Sequence, residues 1–146
     1  MGVKLLEQRI SLVTLGTHDI GRATKFYEDM GWQQVETPDG IVVFDLLGQS
    51  LGLYPAEQLA RDMGVDPGSL GTGLATYALN TRTKEEVAEL TDAARAAGAK
   101  VLKDPHDVFW GGHIAYFSDP DGHIWEIAFN PFSPLSDQGA FRWNGH

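Results

Sequence analysis

The feature that most constrains this chain is a layout that occurs twice. Residues 9–16, with Ile10-Ser11-Leu12-Val13-Thr14-Leu15, are rich in branched side chains and read as a strand. Asp19 then stands where a helix N-cap is wanted, and Ile20, Ala23, Phe26, Tyr27 and Met30 follow at helical spacing. Gly31 closes that helix. Three short strands are predicted next, over residues 32–36, 41–46 and 50–54. They are separated by Pro38-Asp39-Gly40 and by Leu47-Gly48-Gln49. After a short helix over residues 56–63 and a Gly/Pro-rich stretch to residue 73, the same order returns. Residues 74–81 read as a strand, and Thr83 with Glu86 forms a capping box. A helix follows with Val87, Leu90, Ala94 and Ala97 inward and Gly98 at its end. Strands are then predicted over residues 100–103, 112–118 and 123–129.

The prediction is therefore an α+β fold of two β-α-β-β-β modules, residues 9–55 and 74–131, within a single domain over residues 1–146. Residues 56–73 link the modules. Residues 132–146 read as an aromatic tail of coil, held down by Phe132, Phe141 and Trp143.

Composition narrows the function classes. The 146 residues suffice for one domain with a real core. Twenty acidic against eleven basic residues give a net charge of -9, which would repel a phosphate backbone, so no nucleic-acid partner is expected. That charge serves first for solubility and mildly favours a cationic small molecule. No apolar run approaches the roughly 20 residues needed to span a bilayer, so no membrane partner is expected either. Met1-Gly2-Val3-Lys4 carries no apolar leader, and the absence of cysteine suits a reducing cytoplasm. No Gly-rich phosphate loop joins a strand to a helix, no serine lies in a nucleophile elbow, and no thiol exists, so no cofactor is expected.

Leu12-Val13-Thr14-Leu15, Asp19-Ile20, Phe26-Tyr27 and Gly31-Trp32 resemble the opening of a vicinal oxygen chelate protein, of the glyoxalase, bleomycin-resistance and dioxygenase group. Phe117-Ser118-Asp119-Pro120-Asp121-Gly122-His123-Ile124-Trp125-Glu126 is the most specific part of that resemblance. It implies half-open sheets around a cleft, often completed by a second chain, so a homodimer is expected. In metal-using members the ion sits on the first and last strands of each module. The corresponding positions here are Leu12, Thr76, a site at or next to Gly52, and Glu126. One carboxylate among four positions does not make a divalent site, since zinc needs about three protein ligands. No metal ligand is expected, and true glyoxalase chemistry is not expected either.

Alternation places Leu12, Thr14, Thr76, Ala78, Glu126 and Ala128 on one side, with Trp125, Ile127 and Phe129 facing the helices. If Asp119-Pro120-Asp121-Gly122 is a type I turn, Asp119 pairs with His123 and Glu126 lies opposite Tyr116. Glu126 is then the candidate catalytic group, a base if burial raises its carboxyl. It equally suits anchoring a cationic or hydroxylated ligand. The candidate ligand-binding residues are Leu12, Thr14, Thr76, Tyr116, Trp110 from the loop Asp107-Val108-Phe109-Trp110-Gly111-Gly112, and Phe44 and Tyr54 as opposite walls.

Three functions compete. The leading one is metal-free binding of a small organic molecule in an aromatic-lined cleft, as in bleomycin-resistance sequestration. The second is a glyoxalase-like lyase or isomerase using Glu126 as acid and base. The third is a structural or partner-binding protein whose cleft its own side chains fill.

Overall fold

A computed structural model describes residues 5–146. Met1-Gly2-Val3-Lys4, read above for the absence of a leader, lie outside the described residues. The chain runs β1 (Leu12–Thr17), α1 (Ile20–Asp29), β2 (Gln34–Val35), β3 (Val42–Asp45), β4 (Ser50–Pro55) and α2 (Ala56–Met63). It continues with β5 (Thr76–Asn80), α3 (Glu85–Ala97), β6 (Lys100–Asp107), β7 (His113–Ser118) and β8 (Ile124–Phe129). The strands form two four-stranded mixed sheets, ordered β1-β4-β3-β2 and β5-β8-β7-β6. In each, the first strand lies parallel to the last, and the remaining pairs are antiparallel. The duplicated layout is thus one architecture built twice.

Local chemistry sets the helix ends. Asp19 accepts from the Arg22 N–H at 3.0 Å at the start of α1. Thr83 accepts from the Glu86 N–H at 3.3 Å and donates to the Glu86 carboxylate before α3. Gly31 and Gly98, at φ 108° and 112°, supply the left-handed residue that ends each long helix. The bounds differ from expectation in β2, which is two residues long, and in β6, which runs on through Pro105 to Asp107. Proline is tolerated there because β6 is an edge strand with register shifts.

One core serves both sheets. Leu15, Phe26, Tyr27, Phe44, Leu51 and Leu53 pack in the same buried cluster as Val87, Ala94, Phe117, Trp125 and Ile127. Full burial of a side chain like Phe26 contributes roughly 2–3 kcal/mol. Phe44 is among the least exposed of all, packed at a tilt against Tyr27 and Trp32, and so is not a cleft wall. The correction is one of strand phase: Val43 pairs with Gly52 on the open face, which sends Phe44 to the helix face beside Leu51.

The Asp119-Pro120-Asp121-Gly122 turn forms as expected. The Gly122 N–H donates to the Asp119 carbonyl, the Asp119 N–H donates to the His123 carbonyl, and Gly122 has φ 93°. It also latches the two sheets together. The buried Asp119 carboxylate accepts from the Tyr27 hydroxyl at 2.6 Å and from the N–H groups of Asp121 and His123. Asp121 accepts from the Thr17 hydroxyl and the His18 N–H of the first module. The Trp125 indole N–H donates to the Tyr27 oxygen. Burial, then the Asp119 charge, pushes the Tyr27 phenol far above its ordinary range. None of the helices among the described residues is long and apolar enough to cross a membrane.

Candidate functional site

The open face of the second sheet has one row at its centre. Ala78 on β5 lies beside Glu126 on β8, which lies opposite Tyr116 on β7. The Tyr116 hydroxyl donates to Glu126 Oε2 at 3.1 Å. Partial burial, then the Glu126 charge and that hydrogen bond, raises the Tyr116 phenol above its usual range. The phenol therefore stays a donor at neutral pH, and Glu126 Oε1 has no hydrogen-bond partner among the described residues. Ala78 and Ala128 flank the carboxylate with side chains too small to cover it.

An open cavity of about 1250 Å³ is bordered by Glu126, Ala78, Ala128, Asn80 and Trp110, and Tyr116 touches Glu126 without lining that cavity itself. The first module contributes Trp32, Asp45 and Leu46 to it, and the tail contributes Phe141 and Trp143. Trp110 sits at the tip of the β6–β7 hairpin, where the Val108 N–H donates to the Gly112 carbonyl. Its ring folds back over Gly112, so closely that a Cβ there would fall 2.1 Å from the ring. Phe109 at the same tip is fully exposed, and Trp110 is 38% exposed.

The other predicted positions lie elsewhere. Thr14 borders a second cavity of about 600 Å³, beneath the linker, together with Tyr77 and His123. Leu12 is 46% exposed at the start of β1, and Thr76 is exposed at the start of β5. Neither borders the Glu126 cavity. The Tyr54 hydroxyl meets Asp62 on α2, and partial desolvation with that carboxylate raises the phenol. Sequence reasoning missed Asp45, Asn80 and the tail rings as lining. Their place depends on how the sheets and tail pack, and the only local signal was the tail's aromatic density.

The residues do not fit a divalent metal. A Cβ on Gly52 would touch Ile41, Leu12 and Thr14 at 3.4–3.6 Å, so apolar and hydroxyl groups close over this position. The second module offers Glu126, already bonded to a phenol. The rings of His113 and His123 engage Asp107 and the Gly16 carbonyl. Among the described residues no three His, Cys, Asp or Glu groups gather where an ion would sit.

Two open mixed sheets, each backed by a helix and joined through one core, define a glyoxalase-like class of fold. The sequence profile of the Glyoxalase/Bleomycin resistance protein/Dioxygenase superfamily matches residues 9–127, and the chain belongs to that superfamily. A glyoxalase-related enzyme from Fulvimarina pelagi is 34% identical, with a TM-score of 0.87, over 95% of this chain and 100% of that one. A putative lactoylglutathione lyase from Brassica oleracea is 28% identical over 83% of this chain, which spans 44% of that relative's length. The uncharacterized protein YraH of Bacillus subtilis is 27% identical over 86% of this chain and 97% of its own.

Proposed function

We propose that this protein binds a small organic molecule in the Glu126 cavity without a metal ion, in the manner of bleomycin-resistance sequestration. The observation that carries the reading is a carboxylate, hydrogen-bonded to a phenol, on the wall of a cavity that also bears aromatic rings, with Leu12, Gly52 and Thr76 offering no carboxylate or imidazole to a metal. The cavity is open rather than filled by the chain's own side chains, which argues against a purely structural role. We also read the exposed Ile10, Leu12 and Leu74 as the contact surface of a second copy, because so much exposed aliphatic surface is costly in water.

A second reading is favoured by the Glu126–Tyr116 geometry. A carboxylate with a free oxygen takes a proton from a carbon acid, and the neighbouring phenol supplies one to the forming oxyanion. Two curated relatives carry the name lactoylglutathione lyase, one of them as putative, which supports testing a lyase. Tyr116 and Glu126 would then be required together.

The two readings separate in one set of experiments. Zinc, nickel and manganese are titrated into the purified chain by calorimetry, and a lyase assay on lactoylglutathione is run with and without each ion. The binding reading expects no tight stoichiometric metal and no turnover. One ion per chain, lost in Glu126→Ala, would overturn the metal-free assignment. Turnover without added metal that Glu126→Gln and Tyr116→Phe both abolish would establish the lyase.

A further inference from the structure

Residues 128–146 lie beyond the part matched by the superfamily profile, yet residues 131–146 are tied firmly to the second module. The Arg82 guanidinium, in the β5–α3 connection, donates to the Ser136 and Asp137 carbonyls at 2.9 and 3.1 Å. Ser136 Oγ accepts from the Ala140 N–H, and the buried Ser133 accepts from the Asn144 N–H. The Phe132 ring lies against Gly111 of the Trp110 loop. These bonds present Phe141 and Trp143 edge to face, with centroids 6.3 Å apart, on the wall of the Glu126 cavity. The rings are 45% and 76% exposed, so neither serves the core. Water disfavours such surface, and a flat apolar guest would cover it.

The charge of the cavity narrows the guest further. Asp45 and Glu126 are the ionisable groups on its wall, with no lysine, arginine or histidine among the lining residues. Aromatic faces attract cations through their quadrupole, and carboxylates attract them directly. An anionic guest would meet two like charges and no cationic side chain among the lining residues, Arg82 being engaged with the tail carbonyls behind them. We propose that residues 131–146 form the specificity wall of the Glu126 cavity, which takes a flat aromatic cation that stacks on one of the edge-to-face pair Phe141 and Trp143, meets the other edge-on, and turns its charge toward Glu126. Arg82 acts through the tail as a positioning residue. The inference rests on the binding function proposed above and adds the ligand class and the residues that select it.

The test uses proflavine, a flat tricyclic cation, and 9-anthracenecarboxylate, an anion on a similar frame, both titrated into the full chain by fluorescence anisotropy. Proflavine is expected to saturate at one per chain and to bind at least about tenfold tighter than the anion. Trp143→Ala and Phe141→Ala should each weaken it by about tenfold, and Glu126→Gln should narrow the preference between the two dyes. Arg82→Gln should weaken proflavine like the ring variants, with Arg82→Lys restoring part of the affinity because its ammonium still reaches one carbonyl. Trp143 is so exposed that its loss leaves folding intact, which keeps the result readable. If Glu126→Gln abolishes proflavine binding while the tail variants stay within about twofold, the tail is not the wall and the binding function stands. Equal affinity for both dyes overturns the cationic class. Proflavine binding indifferent to Glu126 and to the tail overturns the inference and the proposed site together.

Discussion

The two open faces place the same row of three residues at their centres, and the rows differ in every chemical respect. In the first sheet the row is Thr14, Gly52 and Val43; in the second it is Ala78, Glu126 and Tyr116. Gly52 and Glu126 occupy equivalent places on equivalent last strands. Where the glycine stands, Leu12, Thr14 and Ile41 close in around it. Where the glutamate stands, small neighbours keep it open to a cavity with an aromatic rim. The backbone is duplicated and the chemistry is not, so fold alone says little about which half acts. The turns that end the two sheets differ in the same sense. Leu46 to Gln49 is closed by one backbone hydrogen bond and is largely exposed, whereas the Asp119 turn is half-buried, with Asp119 itself buried and bound to the other module.

The sharpest way to break this comparison is at those turns. Asp119→Ala leaves the Tyr27 hydroxyl and the Asp121 and His123 N–H groups without their shared acceptor. An unsatisfied buried donor costs about 1–3 kcal/mol, so the loss should reach about 3 kcal/mol in urea unfolding. Gln49→Ala, on the exposed turn of the first sheet, should stay within about 0.5 kcal/mol. Similar values for the two variants would mean that the Asp119 turn does not join the modules energetically.

Much of this was legible in the sequence where the signal was local. The helix ends at Asp19, Gly31, Thr83 and Gly98 depend on side chains within four residues of the bond they make. The pairing of Tyr116 with Glu126 followed from the Asp119-Pro120-Asp121-Gly122 turn, because a tight turn fixes the register of both strands. Phe44 was misplaced because Val42, Val43 and Phe44 are all apolar, and a strand of four residues carries no alternation to set its phase. The latch was invisible because Tyr27 and Asp119 stand 92 positions apart. The tail has no period at all, and Arg82 holds it through carbonyls, which every residue possesses.

Alkaline pH sharpens the comparison at intermediate cost, since Tyr27 belongs to one module and its partner to the other. Its phenol is pushed upward in the folded protein, so the folded state keeps a proton that the unfolded state releases above about pH 10. The stabilisation is complete below that pH and declines as pH rises further. The expected slope is about 1.4 kcal/mol per pH unit for this one group. Tyr27→Phe should be less stable at neutral pH, having lost two hydrogen bonds, and should show a shallower alkaline decline. An unchanged slope would place the alkaline sensitivity elsewhere and weaken the case for a buried bond between the modules.

The smallest effect concerns the rim that the second sheet has and the first lacks. Gly112 is buried, and the Trp110 ring occupies the space of its missing Cβ. The obstacle is a side chain at a hairpin tip rather than backbone, so Gly112→Ala displaces the indole instead of disrupting the strand. Stability should change by less than about 1 kcal/mol. Trp110 itself should move into water, seen as a red shift in emission that is absent when the same substitution is made in a Trp110→Phe background. Proflavine affinity should fall with it, because the ring no longer faces the cavity. A variant that loses several kcal/mol would show that Gly112 supports β7 itself, and that Trp110 is a passenger of the hairpin rather than part of the rim.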